Sequence, residues 1–421
     1  MRDFPAPNVP RSVRLIEVAT VESKQPNAAV RSVSCKPTHV LVLSGGARNG
    51  AYSAGVLKGW TESGTRPRFD VVTGVSAGGL IALFAFLGGE YDAALERSYT
   101  TIQAGDIYRR RPLAALPWAE SLADSEPLRR RIETEVTNEV VAKVAHAYDA
   151  GRRLYVGTTN LDTTQSVVWD LGAIAAGNDP GKLELIRKIL LASCSVPGFL
   201  PPVPIDVAID GKHYTELHVD GGVSASLFLH PYMLGVGPAT SPAADCSAGT
   251  VSVIVAGKLY PDRVPVRRRL FPVSENSLRG MFQSQMEGDL LRIYLLTLYA
   301  GMKFGVTGVP RDFAADTHSM AFDPKLMRHL FEVGRRFGRA GDSWQELPPG
   351  IDARERQTAR RGVTFSTLVS PPGAGASTIR PGGSADVGSR LRAWFRQRQW
   401  EMLQSSVEPL ANGQFPAEPR P

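Results

Sequence analysis

Twice between Val40 and Leu87 an apolar run feeds a glycine-marked turn and then a helical stretch. Val40-Leu41-Val42-Leu43 is short and apolar throughout, the pattern of a strand buried on both faces of a parallel sheet. It runs into Ser44-Gly45-Gly46-Ala47-Arg48-Asn49-Gly50 and a helix from about Ala51 to Ser63. Phe69 to Thr73 repeats the arrangement and turns through Gly74-Val75-Ser76-Ala77-Gly78 into the apolar stretch Leu80 to Leu87. Two such units in succession predict a doubly wound α/β sheet, because parallel neighbours need a crossover and a helix supplies it compactly.

The second turn has the form of a nucleophile elbow. Its serine falls at the sharp point between strand and helix, and Gly74 and Gly78 let neighbouring backbone pass without Cβ clashes. The helix start beyond it aims amide N–H groups and positive dipole at the Ser76 oxygen, which favours an alkoxide or oxyanion there. With 41 glycines in 421 residues the pentapeptide alone is a weak signal, and a plain glycine-rich βα turn is its bland alternative. The strand before and the helix after sharpen it.

Hydrophobic content of 43% and charged content of 21% are those of a globular protein long enough for a sizeable core. The net charge of +7 favours anionic surfaces such as phospholipid headgroups. No nucleic-acid-reading module is evident, so nucleic acid is not an expected partner. Cys35, Cys194 and Cys246 are odd in number and widely spaced, giving neither a disulfide framework nor a metal-binding pair. The N-terminal stretch lacks the apolar core of a secretory leader, and no run is long enough to span a membrane. The expected location is therefore cytoplasmic or peripheral to a membrane, with export open if the natural start lies upstream of Met1.

Residues 1–37 read as a poorly ordered arm, 38–349 as the catalytic body, and 350–421 as a linker followed by a basic amphipathic helix. Residues 90–150 look largely helical and charged, with a proline-interrupted stretch at Pro112 and Pro117 suited to a lid. Arg153 to Thr159, Gln165 to Asp170, Tyr214 to Val219 and Val251 to Ala256 read as strands. Helices are expected at Leu183 to Ala192, Leu278 to Phe304 and Pro324 to Arg339, and Phe199 to Pro204 must be extended or turning. Pro, Gly and Ser crowd residues 371–388, and the final helix, Ser389 to Leu403, mixes Trp394, Phe395 and Trp400 with four arginines.

A third glycine-marked turn, Asp220-Gly221-Gly222, follows the strand ending at Val219. If the three strands run parallel, all three turns meet at one carboxyl edge of the sheet, where α/β proteins build their sites. Gly45-Gly46 then offers backbone donors to a developing oxyanion, and Asp220 is the candidate base. Other readings stand beside this one. The first loop also fits a nucleotide-binding turn, although Ala47 replaces the second glycine of that fingerprint. A Ser-His-Asp triad needs an imidazole: His230, His318 and His329 follow the acid, and His218 shares its strand face.

Together these segments resemble the patatin-like phospholipase family. The resemblance rests on Leu43-Ser44-Gly45-Gly46 with Asn49-Gly50-Ala51-Tyr52, on Gly74 to Gly78, and on Val219-Asp220-Gly221-Gly222. Thr158-Thr159-Asn160-Leu161-Asp162 and the stretch from Ala192-Ser193 to Val196-Pro197-Gly198 support it. It implies a three-layer α/β/α sandwich with a mostly parallel central sheet, and a Ser–Asp dyad without histidine. It further implies Ser76 as nucleophile, Asp220 as base, Gly45, Gly46 and Gly50 framing the oxyanion loop, a lipid acyl ester as substrate, and no metal or other cofactor. The sequence departs from the family's loop at two places: Ala47 takes the third glycine's position and Asn49 the basic one, with Arg48 displaced by one residue. An alanine there requires negative φ or strain. The expected activity is that of a lipid acyl hydrolase of phospholipase A or lysophospholipase type. Acyl transfer through the same acyl-enzyme, or a non-catalytic binding module on the same fold, are the alternatives. Oligomeric state is not legible.

Overall fold

A computed structural model describes residues 38–351 except 210–211, 236–248, 263–264 and 314–321. The arm expected over 1–37, His318, the linker at 371–388 and the helix Ser389 to Leu403 lie outside the described residues. The chain opens with β1 (His39–Leu43), α1 (Gly50–Glu62), β2 (Val71–Val75), α2 (Ala77–Leu87) and α3 (Asp92–Thr100). A two-residue ribbon, β3 (Arg109–Arg110) with β4 (Ala123–Asp124), leads into α4 (Glu126–Glu135), α5 (Asn138–Asp149), β5 (Arg153–Asn160) and β6 (Gln165–Asp170). Next come α6 (Leu171–Ala176), α7 (Lys182–Ser193), β7 (Val203–Ile209) and β8 (Lys212–Asp220). The last elements are β9 (Thr250–Lys258), α8 (Leu270–Tyr299), β10 (Lys303–Val309) and α9 (Pro324–Ala340).

The central sheet runs β10-β9-β1-β2-β5 in parallel, so its middle strands are flanked on both edges. Period-two alternation divides their side chains between two cores. Leu41, Leu43 and Val72 enter one, with α1, α2, α7 and α9; Val40, Val42, Val71 and Val253 enter the other, under Met286, Leu290 and Ile293 of α8. This is the three-layer α/β/α sandwich with a mostly parallel sheet.

Several boundaries differ from the sequence expectation. The helix expected over Leu278 to Phe304 starts at Leu270 and stops at Tyr299, and Phe304 belongs to β10. Gly301, at φ 71°, turns the chain out of the helix, which leaves Phe304 and Val306 free to alternate into the second core. β7 begins inside the proline-rich segment, where Pro204 is tolerated because β7 pairs on one side only, with β8.

The antiparallel strands decide where the site lies. Along β5, residues 155–160 pair with β6 on one edge. The opposite edge pairs with β2 up to Val75↔Gly157, and then with β8 from Asp220↔Thr158 onward. β2 and β8 therefore lie end to end against the same edge of β5, approaching from opposite directions. Asp220 reaches the rim on a descending antiparallel strand, not on the parallel strand that the sequence suggested.

α1, which leaves the Gly45-Gly46 loop, is clamped to α9 through backbone contact. A Cβ on Gly55 or Gly59 would collide with the carbonyls of Phe331 or Arg335, and one on Gly334 or Gly338 with those of Tyr52 or Val56. The four-residue spacing puts each pair on one helix face. Gly338→Leu is expected to lower unfolding free energy by about 3 kcal/mol or more in urea titration. Gly280→Ala on α8, with no atom within 4 Å of the added methyl, is expected to be neutral or stabilising.

Candidate active site

Ser76 sits between β2 and α2 with φ 55° and ψ −129°, a conformation that costs a non-glycine residue about 1–3 kcal/mol. The surroundings hold it there. A Cβ on Gly74 would strike the Gly78 carbonyl, and one on Gly78 would strike the carbonyls of Leu43 and Ser44. Strand end, helix start and the neighbouring β1 thus cross at backbone contact. The Ser76 N–H donates to Ser193 Oγ at 2.9 Å, and that hydroxyl donates to the Gly157 carbonyl at 2.8 Å.

Asp220 ends β8, 6% exposed. Its Oδ1 accepts the Gly222 N–H at 2.7 Å, and its side chain lies close enough to Ser76 for the hydroxyl to favour the charged carboxylate. Burial raises its pKa from 3.8 to about 6, with the Ser76 hydroxyl and the Gly222 N–H pulling the other way. Its own N–H donates to the Ser195 carbonyl at 2.9 Å, and its carbonyl accepts from Thr159 Oγ1 at 3.0 Å. The C-terminal end of α7 therefore grips both residues, Ser76 through Ser193 and Asp220 through Ser195. Gly221 lies on the junction itself, where a Cβ would press on the Gly157 carbonyl and Val75 Cγ1.

The first loop lies directly against Ser76: a Cβ on Gly45 would come 3.0 Å from Ser76 Cβ and 3.7 Å from Oγ. Ser44 fastens this loop to β9, its N–H donating to Ile254 O at 3.1 Å and its Oγ accepting the Ala256 N–H at 2.8 Å. Gly46 packs on Ala256, and Gly50 on the Tyr99 ring and Ala77. Ala47 takes φ 46°, so at the third glycine's position the alanine accepts strain and does not move to negative φ.

None of the described histidines separates the two candidates. His218 is buried with Nδ1 at 3.0 Å from Thr158 Oγ1 and Nε2 at 3.1 Å from Glu216. His230 stacks on Tyr232, and His329 on Phe313. Among the described residues no cluster of His, Cys, Asp and Glu is placed to hold a metal ion.

Ser76 and Ala47 open onto an apolar channel between the helices. Leu80, Leu83 and Phe84 of α2 line it, with Leu95 and Tyr99 of α3, Leu128 and Ile132 of α4, Phe199, Leu200 and Met327. Cys194 also lines it, its thiol pushed up in pKa by burial and by the charge of Asp220. Phe84, Ser98, Arg131 and Glu135 form a wall shared with an outer cleft. There Glu135 accepts from Ser98 Oγ at 2.7 Å and pairs with Arg131 at 3.1 Å.

A sequence model of the family described as patatin-like phospholipase matches residues 41–232. The match places a patatin-like phospholipase domain over residues 41–232 and supports lipid hydrolysis as the class of activity. A search of curated proteins finds no match. Similar solved structures include VipD from Legionella pneumophila, at 10% identity and TM-score 0.30, covering 74% of this chain and 68% of that one. Another is the type III effector protein ExoU, at 14% identity and TM-score 0.21, covering 72% of this chain and 52% of that one. The domain match rests on the sequence alone.

Sequence reasoning missed the anchors. Ser193 and Thr159 lie in motifs that carry the resemblance, which gives neither a role. Asp289 of α8 was not singled out, yet its Oδ2 accepts the N–H groups of Ser226 at 2.8 Å and Leu227 at 3.3 Å, bracing the loop after Asp220. A lone carboxylate on the face of Met286 and Ile293 is the signal that marks it.

Because the folded pKa of Asp220 lies above its unfolded value, the stability it contributes is complete below about pH 4 and is lost as pH rises through about 6. Asp220→Asn copies the protonated form. It is expected to gain on the order of 3 kcal/mol at and above about pH 7, from the rise between 3.8 and about 6, and to show no gain near pH 4. Melting temperatures of the two proteins across that range check this.

Proposed function

We propose that the protein is a serine-dependent lipid acyl hydrolase, with its catalytic unit in residues 38–349, that works through a Ser76–Asp220 dyad. The meeting of these two side chains at the tips of β2 and β8, in a buried setting that opens onto an apolar channel, is the observation that carries the reading. An ester whose acyl chain lies in the channel presents its carbonyl to Ser76 Oγ. As the C–O bond forms, the hydroxyl proton passes to Asp220 and the carbonyl oxygen takes the negative charge.

Two sources of positive potential suit that oxygen. One is the N-terminus of α2 at Ala77; the other is the Gly45-Gly46 backbone held against Ser76. The Ser76 N–H is not free for this task, since Ser193 occupies it. Asp220 then returns the proton to the leaving alcohol; it next takes a proton from the water that attacks the acyl carbon and passes it to Ser76 Oγ as the Oγ–C bond breaks and the fatty acid leaves. A base with a pKa near 6 is ionised at neutral pH yet basic enough to take a proton in the transition state. Water that replaces the alcohol makes the reaction a hydrolysis.

Hydrolysis of short nitrophenyl esters, phospholipids and lysophospholipids tests the reading. Ser76→Ala is expected to lose at least 1,000-fold of the rate, roughly the loss typical of a missing nucleophile. A Ser76→Ala protein as active as its parent contradicts it. Leu80→Trp, which fills the channel beside Ser76, is expected to cut long-chain ester hydrolysis about tenfold or more while sparing acetyl esters. The ratio of kcat/KM for the two chain lengths reads this.

A further inference from the structure

The first half of α8 is built with its apolar side turned outward. Met286, Leu290 and Ile293 bury one face of the helix in the second core. At about 100° per residue, Leu270, Val273 and Met281 lie on the opposite face. They are 76%, 47% and 67% exposed, and Leu278 and Phe282, on the flank nearer Met286, are half-exposed as well. A helix that packs on its own body hides such residues; an outward apolar face rimmed by charge belongs to an interface.

The charge is mainly positive. Arg267, Arg268 and Arg269 lead into the helix and are all exposed. The one acid within 265–285 is Glu275, which Arg279 meets at 3.3 Å. Apolar side chains beside a cluster of arginines match the layering of an anionic lipid surface, headgroup phosphates outside and acyl chains beneath. The helix also leaves the body at the candidate rim: Gln285 donates to the Gly222 carbonyl at 3.2 Å, two residues beyond Asp220. On the β3–β4 ribbon, exposed Arg109, paired with Asp124 at 2.8 Å, and exposed Arg110 adjoin the strand that follows exposed Leu122. The Leu122 N–H bonds to the Gly198 carbonyl, beside channel-lining Phe199.

We propose that residues 267–282 form a docking element for anionic lipid bilayers, which sets the rim beside Asp220 against the membrane. This names the surface on which the proposed lipid hydrolase works and rests on that reading for its purpose, though not for its binding. Nothing in the docking requires a helix that crosses the bilayer, and no helix among the described residues is long and apolar enough to do so.

Sedimentation of the full chain with phosphatidylcholine vesicles, with and without phosphatidylglycerol, tests it. The Ser76→Ala protein is used, so that no lipid is consumed and binding is read apart from chemistry. Binding is expected to need the anionic lipid. The combined Arg267→Gln, Arg268→Gln and Arg269→Gln protein is expected to lose roughly 100-fold of its vesicle partition. Leu270→Ser with Met281→Ser is expected to lose about tenfold or more.

In the Ser76-containing protein, these substitutions are expected to leave hydrolysis of a soluble acetyl ester unchanged and to lower hydrolysis of vesicle lipid. Equal binding to neutral and anionic vesicles, or full binding by either set of variants, overturns the proposal. Self-association that Leu270→Ser and Met281→Ser abolish, with vesicle binding intact, overturns it as well and assigns the face to a second copy of the chain.

Discussion

Two strands that end head-on along the same edge of β5 are the constraint on which the site depends. β2 pairs as far as Gly157 and β8 begins at Thr158, so the residues at their tips have nowhere to go but towards each other. Ser76 and Asp220 are those residues. Their meeting is thus fixed by backbone register before any side-chain preference acts. The glycines at the seam follow from the same geometry: Gly157 and Gly221 touch through backbone, where a Cβ on Gly221 would keep the strands apart.

The rest of the site is arranged to hold that junction under strain. Ser76 occupies an unfavourable backbone conformation, and Asp220 is a carboxylate removed from water. Neither persists alone. The end of α7 ties both, Ser44 ties the adjoining loop to β9, and Asp289 of α8 ties the turn after Asp220. Each tie satisfies a backbone group that would otherwise be left orphaned near the site. Burial also raises the carboxylate's proton affinity, as the proposed role of a base requires.

What the sequence disclosed follows the range of the interactions involved. β1, β2 and their two turns were legible, since apolar runs followed by glycine report local structure directly. The elbow glycines were legible for the same reason. The direction of β8 was not: it depends on the hairpin with β7, and the prolines at 201, 202 and 204 left that segment open between extended and turning. β10 was absorbed into the preceding helix because Phe304 continues its apolar run, although Gly301 marked the stop. Ser193 and Asp289 act across more than sixty residues of chain, on partners that no local pattern names. The strain at Ala47 was foreseen as one of two outcomes, and only coordinates could choose between them.

The most direct test of the junction is the rate at which a fluorophosphonate reagent labels the protein as a function of pH. If Asp220 accepts the Ser76 proton without an intervening imidazole, a single adduct forms on the Ser76 peptide. Its rate then rises with pH through a midpoint near 6, the value to which burial lifts Asp220, and the rise is absent in Asp220→Asn. Labelling that proceeds equally fast, with the same pH profile, in Asp220→Asn would contradict the account.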